Sequence, residues 1–222
     1  CMKINLLEIP VIYINLPKDK QKNKNMKDML KELGFKNIIR IDGVLDPEGG
    51  RRGLSKAQHE ALSKLEPPFI VLEDDCEVKF FKEEIEIPDD TDAVYLGNSA
   101  WGFLGSYSGF LLRYKKVKGY RELFRVFNML SSHAILYISK DYVDICKRTT
   151  YYCGYVSKKP YPMDIPFAEM QKYFNVYVFN EPHFAQKQTK GSMSNAAPYT
   201  NKTLTRYNID NKNRDYYRDE II

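Results

Sequence analysis

Phe69-Ile70-Val71-Leu72-Glu73-Asp74-Asp75 is the stretch on which the fold turns. Four consecutive apolar residues after Pro67-Pro68 have the length and composition of a strand buried on both faces, and the acidic triplet marks its end. A strand covered on both faces belongs to a sheet flanked by helices, so its neighbours should alternate between strand and helix. Upstream they do. Val11-Ile12-Tyr13-Ile14-Asn15-Leu16 is a second continuous β-branched and aromatic run. After Pro17, the polar stretch 18–33 carries Met26, Met29, Leu30 and Leu33 on one helical face, and Gly34 is placed to end it. Residues 37–41 read as a short strand before Asp42-Gly43. Ser55 and Gln58 have the spacing of a capping box, opening a helix with the apolar face Leu54, Ala61, Leu62 and Leu65.

Downstream, strands are expected at 93–97, 134–138 and 176–179, with helices at 140–148 and from near Pro166. Residues 185–222 are polar, with few apolar anchors, and predict loop and a weakly docked tail. The β-α-β-α-β order of the first half predicts an α/β fold with a mainly parallel central sheet flanked by helices. No repeat or low-complexity linker divides the 222 residues, so a single domain is expected.

Composition narrows the function. Hydrophobic residues at 43% and charged residues at 28% are ordinary globular usage. With a mean hydropathy of −0.50 and no long apolar run, no transmembrane segment is expected. The start of the chain has no signal-peptide pattern, so a cytoplasmic location is expected (host cytoplasm for a viral source), and Cys1 ahead of Met2 reads as a processing remnant. A net charge of +5 is mildly basic: compatible with a phosphate-bearing ligand, too weak to argue for nucleic acid. Cys1, Cys76, Cys146 and Cys153 show neither a CxxC nor a zinc spacing and are expected to be reduced thiols.

Glu73, Asp74 and Asp75 carry the chemistry. Ligand sites in open α/β sheets lie outside the carboxyl ends of the strands. Three acids gathered there need a compensating cation, and an all-oxygen set suits Mg²⁺ or Mn²⁺ bridging to a pyrophosphate. The alternative is an acidic loop that caps the next segment.

Several segments, in order, resemble glycosyltransferase family 25, the lipopolysaccharide-type and collagen-type (galactosyltransferase-like) sugar transferases of GT-A fold. The opening strand with Asn-Leu and a basic helix is matched by Val11–Lys20, and the family's Asp-Gly after the second strand by Arg40-Ile41-Asp42-Gly43-Val44. Its Gly-…-Ser-His helix is matched loosely by Gly53–His59, with Gln58 where serine is usual. Its hallmark Glu-Asp-Asp is Glu73-Asp74-Asp75. Ala93–Gly97, Ser131–Ser139, Pro162-Met163-Asp164 and Phe184-Ala185-Gln186 resemble later family segments, so the likeness spans roughly residues 10–195. The length resembles compact bacterial or large-virus forms.

The resemblance implies a GT-A type transferase that moves a hexose from a UDP- or GDP-sugar to a glycan or related hydroxyl acceptor. Residues of about 10–110 would bind the nucleotide-sugar, about 111–195 would face the acceptor, and 196–222 would form the tail. It implies Mn²⁺ or Mg²⁺ on Asp75, with Asp74 and Glu73 in or near the metal shell and His183 as a further ligand. Asn15, Leu16, Asp42, His59, Asp74 and Gln186 would border the nucleotide-sugar, and Asp164 would be the general base. Other roles stay open on the residues alone. Asn15 and Asp42 suit turn chemistry, His59 suits core-border packing, and Asp164 suits a cap for the helix near Pro166. Lys18, Lys20 and Lys22 suit either phosphate or a solvated face, and Trp101 either a sugar face or the core. Two further functions remain, a nucleic-acid-binding protein and a metal-dependent phosphohydrolase using the same acids.

Overall fold

Alternating residues along the central strands enter two separate cores. Ile12, Ile14, Phe69 and Val71 face one side of the sheet, and Val11, Tyr13, Ile70 and Leu72 face the other, as the two-residue pleat requires. The structure is a computed structural model that describes residues 1–105, 107–109 and 112–187. The expected tail at 196–222 lies outside the described residues.

In chain order the elements are β1 (Met2–Asn5), β2 (Val11–Asn15), α1 (Lys20–Leu33), β3 (Ile38–Asp42), α2 (Gly50–Leu62), β4 (Phe69–Glu73), β5 (Cys76–Val78), β6 (Glu84–Ile87) and β7 (Ala93–Tyr95). Then follow β8 (Gly102–Leu104), β9 (Tyr107–Gly109), β10 (Tyr114–Lys116), β11 (Leu123–Val126), β12 (Ala134–Tyr137), α3 (Lys140–Tyr151), α4 (Asp164–Met170), β13 (Val176–Phe179) and β14 (Phe184–Gln186). An eight-stranded sheet in the order β10-β11-β13-β7-β12-β4-β2-β3 forms the middle layer. One face is covered by α2, α3 and α4, through Ala57, Ala61, Leu62, Tyr142, Val143, Cys146 and Phe167. The other is covered by α1, through Met26 and Leu30, and by the β1–β6 ribbon, through Ile85 and Ile87.

This is a mixed α/β architecture, and the expectation of a mainly parallel sheet is corrected. Only β3–β2, β2–β4 and β7–β13 pair in parallel; the other four contacts are antiparallel. The reason is β12 and β11, which run against the rest. The sequence pattern of a buried strand is the same in either direction, so β12 betrays nothing of its orientation until its neighbours are known.

The second helix also differs from expectation. It begins at Gly50, with Ser55 inside it donating its hydroxyl to the Arg51 carbonyl, so Ser55 caps nothing. Gly53 sets the helix against the preceding loop: a Cβ there would lie 2.0 Å from the Val44 carbonyl oxygen. The third helix runs to Tyr151, beyond 148. The fourth begins at Asp164, with Pro166 in its first turn, where the missing N–H costs nothing. Residues 185 and 186, expected in the polar loop, belong with Phe184 to β14 and pair with β5.

Candidate active site

The parallel strands β3, β2 and β4 end on one edge of the sheet, in registers that place Asn15 opposite Asp42 and Ile14 opposite Glu73. Over that edge opens a cleft of about 1250 Å³. Its floor carries Glu73, Asp74 and Asp75, and its far wall Ser131, Ser132 and Asp164. Lys18, Lys22 and Arg51 also line it, so acids and cations share one cavity.

Each acid is held differently. Asp74 accepts 2.7 Å from Asn15 Nδ2 and 3.2 Å from Lys22 Nζ, so its charge is already compensated. Asp75 accepts 3.0 Å from Gln186 Nε2 through Oδ2, while its Oδ1 is buried with no hydrogen-bond partner. Burial, reinforced by the Asp74 charge, pushes the Asp75 carboxyl up to about 6. Glu73 accepts 3.1 Å from Ser132 Oγ. Burial first, and the Asp75 charge second, push its carboxyl up to about 8. Asp164 is raised by burial, against backbone N–H groups that include that of Ser131 and against the Arg51 charge.

The turn that carries Ser131 is strained. Ser131 has φ 94°, the one non-glycine residue with positive φ among those described, a conformation that costs energy away from glycine. Its hydroxyl lies 2.6 Å from His133 Nδ1. The His133 carbonyl accepts from Glu73 N at 2.9 Å and from Cys76 Sγ at 3.0 Å. The His133 ring in turn fills the space above Gly97, where a Cβ would come within 2.0 Å of Nε2.

Six of the expected site residues reach the cleft: Leu16, Glu73, Asp74, Asp75, Asp164 and Gln186. Gln186 arrives because β14 pairs with β5 and sets it opposite Cys76. Asn15 is buried behind the wall and acts on the cleft through Asp74. Three expectations are corrected. Asp42 turns to solvent and pairs with Arg40 at 2.5 Å. His59 lies on the side of α2 that meets α3, with Nδ1 3.0 Å from the Lys147 carbonyl oxygen. His183 is buried between the rings of Phe81 and Phe179, at centroid distances of 6.0 and 5.0 Å, and does not line the cleft. Burial lowers its imidazole to about 4. Asp42 ends β3, His59 sits within α2 and His183 lies just before β14, and none of the three side chains lines the cleft. Of the ambiguous residues, Trp101, Lys18 and Lys22 line the cleft.

Sequence reasoning missed Arg51 and Ser131. Gly49 caps the helix that carries Arg51, but glycine marks helix ends more strongly than starts, so the sequence signals neither Arg51 nor the Ser131 backbone.

Among the described residues no group of three or more His, Cys, Asp or Glu side chains is arranged to hold a metal ion. The donor chemistry still fits a hard divalent cation. The cluster offers carboxylate oxygens, one of them buried and unpartnered on Asp75, and its acids are raised by burial first and by their mutual charge second, both of which a bound cation would offset.

No family model matches the chain, and no curated protein does. Among solved structures it is similar to a nucleoside-diphosphate-sugar pyrophosphorylase from Vibrio cholerae RC9, at 13% identity and a TM-score of 0.43, over 78% of this chain and 73% of that one. A likeness at that level defines neither the fold nor the activity of this chain. Among the described residues no helix is long and apolar enough to cross a membrane.

Proposed function

We propose that the chain is a GT-A type glycosyltransferase, akin to glycosyltransferase family 25, which passes a sugar from a nucleoside-diphosphate donor (UDP- or GDP-linked) to a hydroxyl of a glycan acceptor with the help of Mn²⁺ or Mg²⁺. The observation that carries this reading is the pairing, across one cleft, of a strand-end carboxylate bearing a buried, unpartnered oxygen (Asp75) with a separately held buried carboxylate (Asp164).

Asp75, with Asp74 or Glu73 beside it, would hold the cation, which when bound neutralises the diphosphate as it leaves. Lys18 and Arg51 add positive charge within the cleft. Asp164 takes the proton of the acceptor hydroxyl as that oxygen attacks the anomeric carbon. The bond from that carbon to the phosphate oxygen breaks, and its electron pair leaves with the nucleoside diphosphate. Burial raises the Asp164 carboxyl and so strengthens its ionised form as a base. Asn15 and Lys22 fix Asp74 at the floor. The acids of the floor also repel a nucleic-acid backbone, which disfavours that alternative.

The test is a thermal-shift panel of nucleotide-sugars with and without Mn²⁺, followed by assay of nucleoside diphosphate release. Stabilisation by one donor only with the ion, and release with sugar transfer, are expected. Release of inorganic phosphate with no transfer to any acceptor would replace this reading with the phosphohydrolase one.

A further inference from the structure

Large hydrophobic side chains are exposed at eight described positions, and five of them are Tyr151, Tyr152, Tyr155, Val156 and Tyr161. Such concentration, as opposed to scatter, marks an interaction surface. The backbone beneath is unusual as well. Helix α3 runs directly into a π turn at Tyr152–Val156, a rare geometry that concentrates at functional sites. The turn is pinned to α2: Arg52 Nε donates 3.0 Å to the Gly154 carbonyl, and a Cβ on Gly154 would lie 3.0 Å from Lys56 Cγ and 3.2 Å from Lys56 N.

Held this way, the Tyr151 and Tyr155 rings stack, with centroids 5.2 Å apart and planes 30° from parallel. His59 packs on both, at 5.5 and 6.1 Å. Lys56 Nζ stands 5.2 Å from the Tyr155 centroid and 2.6 Å from Asp46, a residue of the cleft wall. Tyr161 lines the cleft itself. The shelf therefore reaches the cleft wall through Lys56 and Asp46.

We propose that the Tyr151–Tyr155 shelf holds the glycan acceptor by stacking on its rings, so that the acceptor is an oligosaccharide several rings long and not a single sugar. This rests on the transferase reading of the cleft. A pyranose ring has an apolar C–H face and a hydroxylated edge. Tyrosine matches it with an apolar ring and a polar tip, and loses few rotamers on binding. The shelf has a single aliphatic member, Val156, whereas a surface that enters a bilayer needs Trp, Phe or Leu on its apolar face.

The experiment is calorimetric titration of the full chain with β-linked glucose, galactose and N-acetylglucosamine oligosaccharides of one, two and four rings. In at least one series the four-ring member is expected to bind roughly tenfold tighter than the single sugar. Tyr151→Ala/Tyr155→Ala should abolish that gain while the thermal midpoint and nucleotide-sugar binding stay as in the wild type. Tyr155→Leu, which keeps apolar bulk without a ring, should also weaken it. Three results would overturn the proposal. One is the absence of any length dependence, and another is a length dependence that survives the double variant. The third is loss, in that variant, of cosedimentation with phosphatidylcholine–phosphatidylglycerol vesicles or of a concentration-dependent dimer, with no change in glycan binding. Glycan binding is read without turnover, so a chain that transfers no sugar still tests the shelf. Donor turnover in a chain whose shelf fails leaves the transferase reading standing.

Discussion

The strand-end cleft and the pocket of His183 both bury ionisable groups, and burial drives both toward neutrality in opposite directions. In the cleft it raises Glu73 to about 8 and Asp75 to about 6. Between Phe81 and Phe179 it lowers His183 to about 4. The difference lies in what each group faces. The acids face open volume, mutual repulsion and cations; His183 faces aromatic rings, and both its ring nitrogens lack hydrogen-bond partners. Desolvation alone therefore does not make a site. A site also needs space for something to relieve the desolvated charge.

Substitution in the cleft should have the largest effect. Asp164→Asn is expected to lower turnover by about 10²–10⁴-fold, the usual contribution of a positioned base. Its pH profile should lose the limb that reports deprotonation of a carboxylic acid. Asp75→Asn should reduce metal-dependent nucleoside diphosphate release by roughly 10²-fold or more, with the fold intact by circular dichroism. If turnover in Asp75→Asn stays at the wild-type level, the contrast between the two regions has no functional meaning.

Asn15→Ala comes next. It leaves Asp74 held by Lys22 without its amide donor, and a loss of about 1–3 kcal/mol in denaturant unfolding is expected, as for a buried acceptor deprived of its donor. Donor affinity should fall with it.

The pH dependence of stability sharpens the comparison further. Glu73 and Asp75 have folded-state values above their ordinary ones, so the folded chain binds more protons than the unfolded chain. Their contribution is full below the ordinary carboxylate range and is lost as pH rises through about 6 and then about 8. His183 and His133, both lowered to about 4 by burial, act oppositely, and their contribution is lost as pH falls from the ordinary histidine range through about 4. Thermal midpoints measured in chelator should fall between pH 6 and pH 9, and Mn²⁺ should flatten that fall. An unchanged slope with the ion would argue that the acids do not bind it.

The smallest effect is expected at the other region. His183→Phe should leave turnover unchanged and shift stability by no more than about 1 kcal/mol, because removing two unsatisfied polar atoms offsets the change of shape. A large loss of turnover there would tie the two regions together.

Much of this could be read from the residues alone, because burial on two faces leaves a continuous apolar imprint. The runs 11–15, 69–72 and 176–179 became strands, the 3.6-residue periodicity of 20–33 became α1, and Gly34 closes that helix at φ 92°. The same logic put Glu73, Asp74 and Asp75 at the end of a buried strand facing a cavity. What the sequence left open depends on partners distant in the chain. The opposite direction of β12 is fixed by its neighbours β4 and β7. The arrival of Gln186 at Asp75 depends on a pairing across 111 residues. The departures of His59, His183 and Asp42 from the cleft depend on side-chain direction, which spacing does not carry. Local pattern determines which segments are buried and where they stop, because burial acts residue by residue; only the tertiary structure decides which buried charges meet, because that is a property of pairs.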